Sequence, residues 1–314
     1  MQRSLRILTL LLLATALATS SAFACLNPIG RSAVGDWIYV EGVGPQDFHK
    51  ALTTHEGKAH WLNILTQLKL ERVHSRAQRV ENTTNTAVAM LHLGMVKGAI
   101  RLLEKLEQTD PGLYYTAANL GTAYELNGEN ERALEWIKKG IDRNADAHNG
   151  TEWLHVKILE AKLALEKDPE WLRHNSVIGM HRLNDEQLLL GGPVAIGNYG
   201  HGIDLKEVES ALIYQLHERL EFIKPPDRVV ANLLFDLSRT LARTRGPEHA
   251  AVIKSFAQTY GPDLMPWQAT DINLPAIDLP PPPAPMTAYW IGGIVLFVVS
   301  LALMMVVLKR RRLS

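Results

Sequence analysis

Cysteine is almost absent from this chain of 314 residues: Cys25 is the only one, so no disulfide can form within it. Neither sign of charge is in excess, since Lys and Arg together number 33 and Asp and Glu also number 33. The net basic charge typical of nucleic-acid-binding proteins is therefore missing, and we expect no nucleic-acid partner. Hydrophobic residues make up 46% and charged residues 21%, which is the balance of a globular chain and excludes a mainly disordered one.

Motifs for zinc and nucleotide binding are missing as well. His55 and His60 lie five positions apart, whereas the helical zinc motif needs two histidines four positions apart on one face. Residues 192–197 have the glycine spacing of a phosphate-binding loop, but Asn198 and Tyr199 stand where a lysine and a serine or threonine are required. We therefore expect neither a metal ion nor a nucleotide cofactor.

No sequence motif indicates a catalytic nucleophile or an acid–base pair. The chain has no Gly-x-Ser-x-Gly element, and we interpret His148 and His155, seven positions apart, as a chance pair among 12 histidines. We expect a protein without catalytic residues and without a cofactor. The alternative is an enzyme whose site lies in the loop 184–204, which contains His201 and Asp204.

The N-terminus is typical of an export signal. Two arginines precede an apolar run over residues 7–18, which is too short to span a bilayer comfortably, and Ala22 and Ala24 supply small residues for cleavage. We expect a signal peptide over residues 1–24. Cys25 would then begin the mature chain, and whether it carries a lipid is left open.

The C-terminus predicts a single membrane span over residues 288–308, which contain no charged residue. An apolar helix of about 20 residues is about 30 Å long and matches the hydrocarbon thickness of a bilayer. The basic tail 309–314 belongs on the cytoplasmic side, so we expect the main domain on the extracytoplasmic, periplasmic side. The alternative is a sorting signal that a transpeptidase cuts, which would leave the protein attached to the cell surface.

Between these ends, composition divides the chain into three parts. Residues 25–58 are rich in glycine and proline and are predicted to be irregular, whereas 59–262 carry apolar residues at helical spacing. Residues 263–287 are rich in proline, which favours a stiff and extended linker. The later helices are predicted at 205–223, 228–243 and 247–260.

A period of 34 residues relates two adjoining units of the helical part, 80–113 and 114–147. Gly94 and Gly128 coincide where the first helix of each unit would end, and glycine permits the backbone conformation of such a turn. The other coinciding pairs are Ala87 with Gly121, Met90 with Tyr124, Ala99 with Ala133 and Leu103 with Ile137.

The second unit, with Gly121, Ala133 and Gly140 at signature positions, resembles the tetratricopeptide repeat (TPR), a helix–turn–helix unit of 34 residues. The resemblance implies an all-α, TPR-like solenoid across 59–262, in which stacked hairpins complete one another's core. Small residues would stand where the two helices of a hairpin cross closely. A third unit beginning near Trp153 and a degenerate one over 231–264 would extend the stack.

In that family, the first helices of the hairpins line a concave groove that holds a peptide or a helix of a partner. The resemblance therefore implies a protein or peptide partner and a non-enzymatic interaction scaffold. The lining positions would be Glu81, Thr84, Val88, Leu91, Tyr115, Ala118, Thr122 and Glu125.

Overall fold

The computed structural model describes residues 40, 42–179, 195–198 and 200–261. The predicted signal peptide, linker, membrane span and basic tail lie outside these residues and stay predictions. Within the described ranges the chain is all-α, as predicted, apart from two strands of two residues each. None of the helices in these ranges is long and apolar enough to span a bilayer.

The elements are numbered in chain order. The strands β1 (Ala195–Ile196) and β2 (Gly202–Ile203) pair antiparallel, with Ala195 opposite Ile203. The helices are α1 (Pro45–Thr53), α2 (Lys58–Leu70), α3 (Arg76–His92), α4 (Val96–Thr109), α5 (Tyr114–Leu126), α6 (Asn130–Arg143), α7 (Ala147–Gly150), α8 (Glu152–Lys167), α9 (Leu205–Phe222), α10 (Arg228–Thr244) and α11 (Pro247–Tyr260).

Helices α3 to α6 form two hairpins with the same local geometry. Both ends of α6 are displaced by 34 residues from the ends of α4. Gly94 and Gly128 end the first helix of each hairpin with φ of 77° and 81°, a conformation in which only glycine is unstrained. The next residues, Met95 and Glu129, each donate a backbone hydrogen bond across the helix end, of 2.8 and 2.9 Å. The period that the sequence predicts is therefore a period of the structure.

The close helix crossing in the second hairpin also follows the prediction. A Cβ placed on Gly121 would lie 2.6 Å from Cγ1 of Ile137, and one on Gly140 would lie 3.5 Å from the Cβ of Ala118. Ala133 is completely buried at the same interface. Because these side chains are minimal, α5 and α6 pack almost backbone to backbone.

Neighbouring hairpins stack in a repeat-like arrangement. Helix α2 packs on α3, α4 on α5, and α6 on α8. Trp153, Leu154, Ile158 and Ala161 are buried along α8, as predicted for the start of a third unit. Helix α8 ends at Lys167, and its C-cap residue Asp168 directly precedes Pro169, a position that disfavours helix. In the described part of this unit only a short 3-10 turn (Trp171–Arg173) follows.

The segment 25–58 was predicted to be irregular, but it contains a regular helix, α1. The prediction was wrong for the residues of this helix, Pro45–Thr53. Pro45 stands at the first turn of α1, where its missing N–H costs nothing. Phe48 and Leu52 lie one turn apart on the same face and are completely buried. The abundance of glycine and proline around α1 hid this short apolar pattern.

The three predicted C-terminal helices are confirmed as α9, α10 and α11. Helices α10 and α11 form a hairpin at the position of the predicted degenerate unit, and Ser238 donates a hydrogen bond of 2.7 Å to the carbonyl of Ala250 across it. Helix α1 packs against α11 and α9.

The described residues form two main apolar cores, which meet at α8. One core lies among α3 to α6, and the other lies among α1, α8, α9, α10 and α11. Leu159 of α8 belongs to the first core, and Ile158 belongs to the second. Helix α9 contacts the first helices of both hairpins, through Glu221 with His92 of α3 and through Arg219 with Glu125 of α5.

Candidate functional site

The eight predicted groove residues do not form one open surface. Glu81 is exposed and Tyr115 is half-buried, whereas the other six are buried. Val88 packs with Trp61 and Leu65 of α2. Partner binding by these positions stays a prediction, and the side chains still accessible to a partner are those near the N-terminal ends of α3 and α5. The six buried positions are Thr84, Val88, Leu91, Ala118, Thr122 and Glu125.

Ala118 is buried for a local reason. It contacts Gly140 within its own hairpin, so it belongs to the helix crossing rather than to a groove. Thr122 and Glu125 point instead toward α8 and α9, where they line a small cleft. The chain's own helix α9 thus occupies the place where the resemblance would put a partner helix.

Glu125 is the centre of the contact between α5 and α9. Its carboxylate accepts hydrogen bonds from Arg219, with Nη1–Oε1 at 2.6 Å and Nη2–Oε2 at 3.1 Å. Lys162 Nζ lies 2.7 Å from Oε1, and His155 Nε2 lies 2.7 Å from Oε2. Burial by itself would raise the pKa of this carboxyl, but the three basic groups hold its pKa well below the usual range. Glu125 is therefore ionised and held from three sides.

His155 joins this carboxylate to a second one. Its Nδ1 lies 3.4 Å from Glu152 Oε2, while its Nε2 contacts Glu125. Burial lowers the pKa of His155, but the two carboxylates outweigh burial and raise the pKa above 6.5. The imidazolium form is thus stabilised between two anionic groups from α5 and α8.

Glu152 is also paired with His148, whose Nδ1 contacts Oε1. His148 and Asn149 adopt left-handed conformations with φ of 52° and 56°, which is uncommon for residues other than glycine. Burial would raise the pKa of Glu152, yet His148 and His155 lower it strongly. We call Glu125, His148, Glu152, His155, Lys162 and Arg219 the ionic cluster.

The interpretation of His148 and His155 as a chance pair was wrong. Glu152 lies three residues before His155 on α8 and faces it along the helix, and the left-handed turn at His148 and Asn149 brings His148 to the same carboxylate. The spacing of Glu152 and His155 could have been recognised in the sequence, whereas the turn at His148 could not. Glu125 and Arg219, in contrast, reach the cluster through tertiary packing across 94 residues of chain, for which no local signal exists.

The cleft beside the ionic cluster is small. It offers about 30 Å³ to water-sized molecules, whereas sites for organic ligands usually hold several hundred Å³. Among the described residues, Gln215 Nε2 and Glu218 Oε1 have no hydrogen-bond partner, and burial raises the pKa of the Glu218 carboxyl. Such a cleft suits one or two bound waters. Its lining residues are Thr122, Glu125, Leu126, His155, Lys162, Gln215, Glu218, Arg219, Phe222 and Ile223.

A second contact holds the C-terminal end of α9. The rings of Trp61 and His92 are stacked, with centroids 3.6 Å apart and planes 4° apart. His92 Nδ1 lies 2.5 Å from Oε1 of Glu221, and Phe222 lies 5.1 Å from the same imidazole. Helix α9 is therefore joined to α2 and α3 as well as to α5.

The loop proposed for an alternative enzyme is described only in part. The side chain of Asp204 caps α9, since Oδ1 accepts hydrogen bonds of 2.9 Å from the amides of Lys206 and Glu207. Glu207 Oε2 accepts a hydrogen bond of 2.9 Å from the amide of Asp204 in return. His201 is exposed in the turn between β1 and β2. The arrangement around Asp204 is that of a capping box, which needs no catalytic role to explain it.

In the described ranges, no group of three or more His, Cys, Asp or Glu side chains is placed to hold a metal ion. The ionic cluster joins two carboxylates to four basic groups, which is the chemistry of a structural junction between helices. Comparison of the chain with protein-family models, with curated proteins and with solved structures found no match. What the chain does must therefore be inferred from its own residues.

Proposed function

We propose that this chain is a TPR-like scaffold, exported and tethered to the membrane by its C-terminal helix, which binds another protein without catalysing a reaction. The observation that carries the proposal is the 34-residue displacement shared by the ends of α4 and α6 and by Gly94 and Gly128. Stacked hairpins of this kind form extended surfaces, which repeat proteins use to bind partners. Export and the tether are supported by the sequence of the two ends.

The open part of the stack lies at the N-terminal ends of α3 and α5, which we call the rim. Glu81 and Tyr115 lie on it, and Tyr114 meets Tyr115 edge-on with ring centroids 5.6 Å apart. Arg76 and Arg79 both approach the buried carboxylate of Asp110, at 2.5 and 3.7 Å, and remain largely exposed. Aromatic side chains beside arginines are the residue types that contribute most to protein interfaces.

The ionic cluster supports this location because it fixes α9 in place. A partner helix could reach Thr122 and Glu125 only by displacing α9, which belongs to the second apolar core through Leu212 and Leu216. Displacing it would expose that core as well as break the Glu125–Arg219 pair. We therefore place partner binding at the rim and not at the occupied part of the groove.

Site-specific photo-crosslinking in cells tests the proposal. A photoreactive amino acid replaces Glu81 or Tyr115 in the full-length chain, and an exposed position on the opposite helix layer, Glu131 of α6, serves as the matched control. We expect one defined protein adduct from both rim positions and none from Glu131. A rim that gives no adduct under any growth condition, or the same adducts as Glu131, would contradict the proposal.

A further inference from the structure

Large apolar side chains are exposed at one end of the hairpin stack. In the described part of the chain, every such side chain lies on α2 or on the turns beside α3. The exposed fractions are 58% for Leu62, 78% for Leu70, 40% for Val73 and 49% for Met95. The last helix of a repeat stack usually has a polar outer face, because that face meets water. The outer face of α2 departs from this rule.

Three exposed residues of α2 form a stripe. Leu62, Thr66 and Leu70 are spaced by four residues, lie on one face of the helix and are all exposed. The stripe is about 12 Å long, two turns of helix. The hydroxyl of Thr66 donates a hydrogen bond of 2.8 Å to the carbonyl of Leu62, so its polar group is already satisfied. We call these three residues the α2 stripe.

Cations outnumber carboxylates around the α2 stripe. Helix α2 contains no acidic residue, and Lys58 and Lys69 are exposed on it. Arg72 and Glu71 are both exposed immediately after the helix, and Glu71 accepts a hydrogen bond of 2.8 Å from Asn82 Nδ2. An apolar stripe flanked by cations is complementary to an apolar stripe flanked by carboxylates.

We propose that the α2 stripe docks an acidic amphipathic helix of another protein. The docked helix would extend the stack by one element, in the way that α2 itself packs on α3 through Trp61 and Leu65. This inference rests on the proposed scaffold function and adds a second surface, away from the rim, together with the chemistry of its partner.

The same residues fit two other occupants less well. Helices that lie in a membrane interface usually expose Trp or Phe, whereas Trp61 is buried under the stripe and stacked on His92. A second copy of this chain that met the stripe through its own stripe would bring together two surfaces on which Lys58, Lys69 and Arg72 outnumber Glu71. That contact would be repulsive.

A binding assay with synthetic peptides and the purified full-length chain tests the proposal. The probe is a fluorescent helical peptide with leucine on one face and glutamate on the other, and the matched peptide has lysine in place of every glutamate. We expect fluorescence anisotropy to report saturable binding of the glutamate peptide and at least about tenfold weaker binding of the lysine peptide.

Substitutions locate the binding. Leu70→Asp and Lys69→Glu should each weaken binding of the glutamate peptide about tenfold, whereas Lys105→Glu, at an exposed position of α4, should not. Circular dichroism checks that the helices persist. Since Lys69 is exposed, its substitution keeps the test valid even where Leu70→Asp unfolds the chain.

Five results would overturn the inference, of which the first four concern binding and assembly. These four are equal binding of both peptides, binding unaffected by Lys69→Glu, sedimentation with phosphatidylglycerol vesicles that Leu70→Asp abolishes, and a dimer of the chain that Leu70→Asp dissociates. A crosslink from Thr66 to residues 25–39 of the same chain would overturn it too. Adducts from Glu81 and Tyr115 that persist alongside any of these results would leave the scaffold proposal intact.

Discussion

Arg219 on α9 and Glu125 on α5 form a two-point ion pair, with nitrogen–oxygen distances of 2.6 and 3.1 Å. The two residues are 94 positions apart in the chain. Both side chains are buried. This pair joins the C-terminal helices to the hairpin stack. It lies where a TPR-like groove would be open, so under the proposed scaffold function it would limit the surfaces that a partner could reach.

Removal of Arg219 should destabilise the fold strongly. Arg219→Met leaves the buried Glu125 carboxylate with only Lys162 and His155, and we expect the free energy of unfolding to fall by about 3 kcal/mol. Urea unfolding followed by circular dichroism measures the change.

The exposed pair Lys139–Glu135 provides the control for this loss. Lys139→Met should cost no more than about 0.5 kcal/mol, because exposed ion pairs contribute little. Adding Glu125→Met to Arg219→Met should recover part of the loss by removing the unpaired charge. A loss with Arg219→Met as small as that with Lys139→Met would show that the pair does not hold α9.

Stability should depend on the protonation of His155. Its pKa is raised in the folded state, so the stabilisation it gives is complete below about pH 6.5 and is lost as the pH rises through the folded-state pKa. The groups that face it are Glu125, Glu152, Glu218 and Arg219. His155→Gln should therefore be less stable than the native chain at pH 6, and the difference should shrink by pH 9.

Urea unfolding across this pH range measures the effect of His155. The control is His201→Gln, because His201 is exposed in the turn between β1 and β2. Its stability curve should run parallel to that of the native chain. A difference between His155→Gln and the native chain that stays constant from pH 6 to pH 9 would mean that the charge on the imidazole is not what stabilises the cluster.

Periodicity in the sequence was sufficient to predict most helices and the two matched hairpins. Apolar spacing located α2 and α9 to α11, and the coincidence of Gly94 with Gly128 located the turns. These features depend on residues close together in the chain. Helix α1 was missed because Phe48 and Leu52 provide too few apolar positions to stand out among glycine and proline.

The candidate site could not be predicted in the same way. Glu125 occupies a position that the repeat pattern assigns to an open groove, and nothing near it in the sequence indicates burial. Its partner Arg219 lies 94 residues further along the chain. The contact thus depends on tertiary packing, and a single sequence gives no register between α5 and α9.

Asp236 on α10 should make the native chain less stable as the pH rises. Burial raises its pKa from 3.8 to about 7, and neither carboxylate oxygen has a hydrogen-bond partner among the described residues. Since the folded state holds this proton more tightly than the unfolded chain, stability falls between about pH 4 and pH 7. The loss amounts to at most about 4 kcal/mol.

Asp236→Asn removes the titrating group and should remove this part of the pH dependence. Asp227, which caps α10 and accepts a hydrogen bond of 2.8 Å from the amide of Val230, provides the control. Asp227→Asn keeps a capping side chain and should retain the decline between pH 4 and pH 7. Thermal unfolding at several pH values measures both, and an unchanged decline in Asp236→Asn would refute the assignment.

The crossing of α5 and α6 predicts opposite outcomes for two glycine substitutions in one hairpin. A Cβ at Gly121 would lie 2.6 Å from Cγ1 and 3.1 Å from the backbone nitrogen of Ile137, which is completely buried. Gly121→Ala should therefore destabilise the chain by about 1–3 kcal/mol, since the packed isoleucine must shift. At Gly140 the nearest atom would be the Cβ of Ala118 at 3.5 Å, an ordinary contact.

Gly140→Ala should therefore be neutral or stabilise the chain by about 0.5–1 kcal/mol, because alanine restricts the unfolded chain and favours helix. Urea unfolding compares the two variants. Ile137→Val, combined with Gly121→Ala, should recover part of the loss by removing the methyl group that the new Cβ meets. Equal losses for Gly121→Ala and Gly140→Ala would show that the two helices do not cross at the separation described, and the close-packed hairpin would no longer support the TPR-like interpretation.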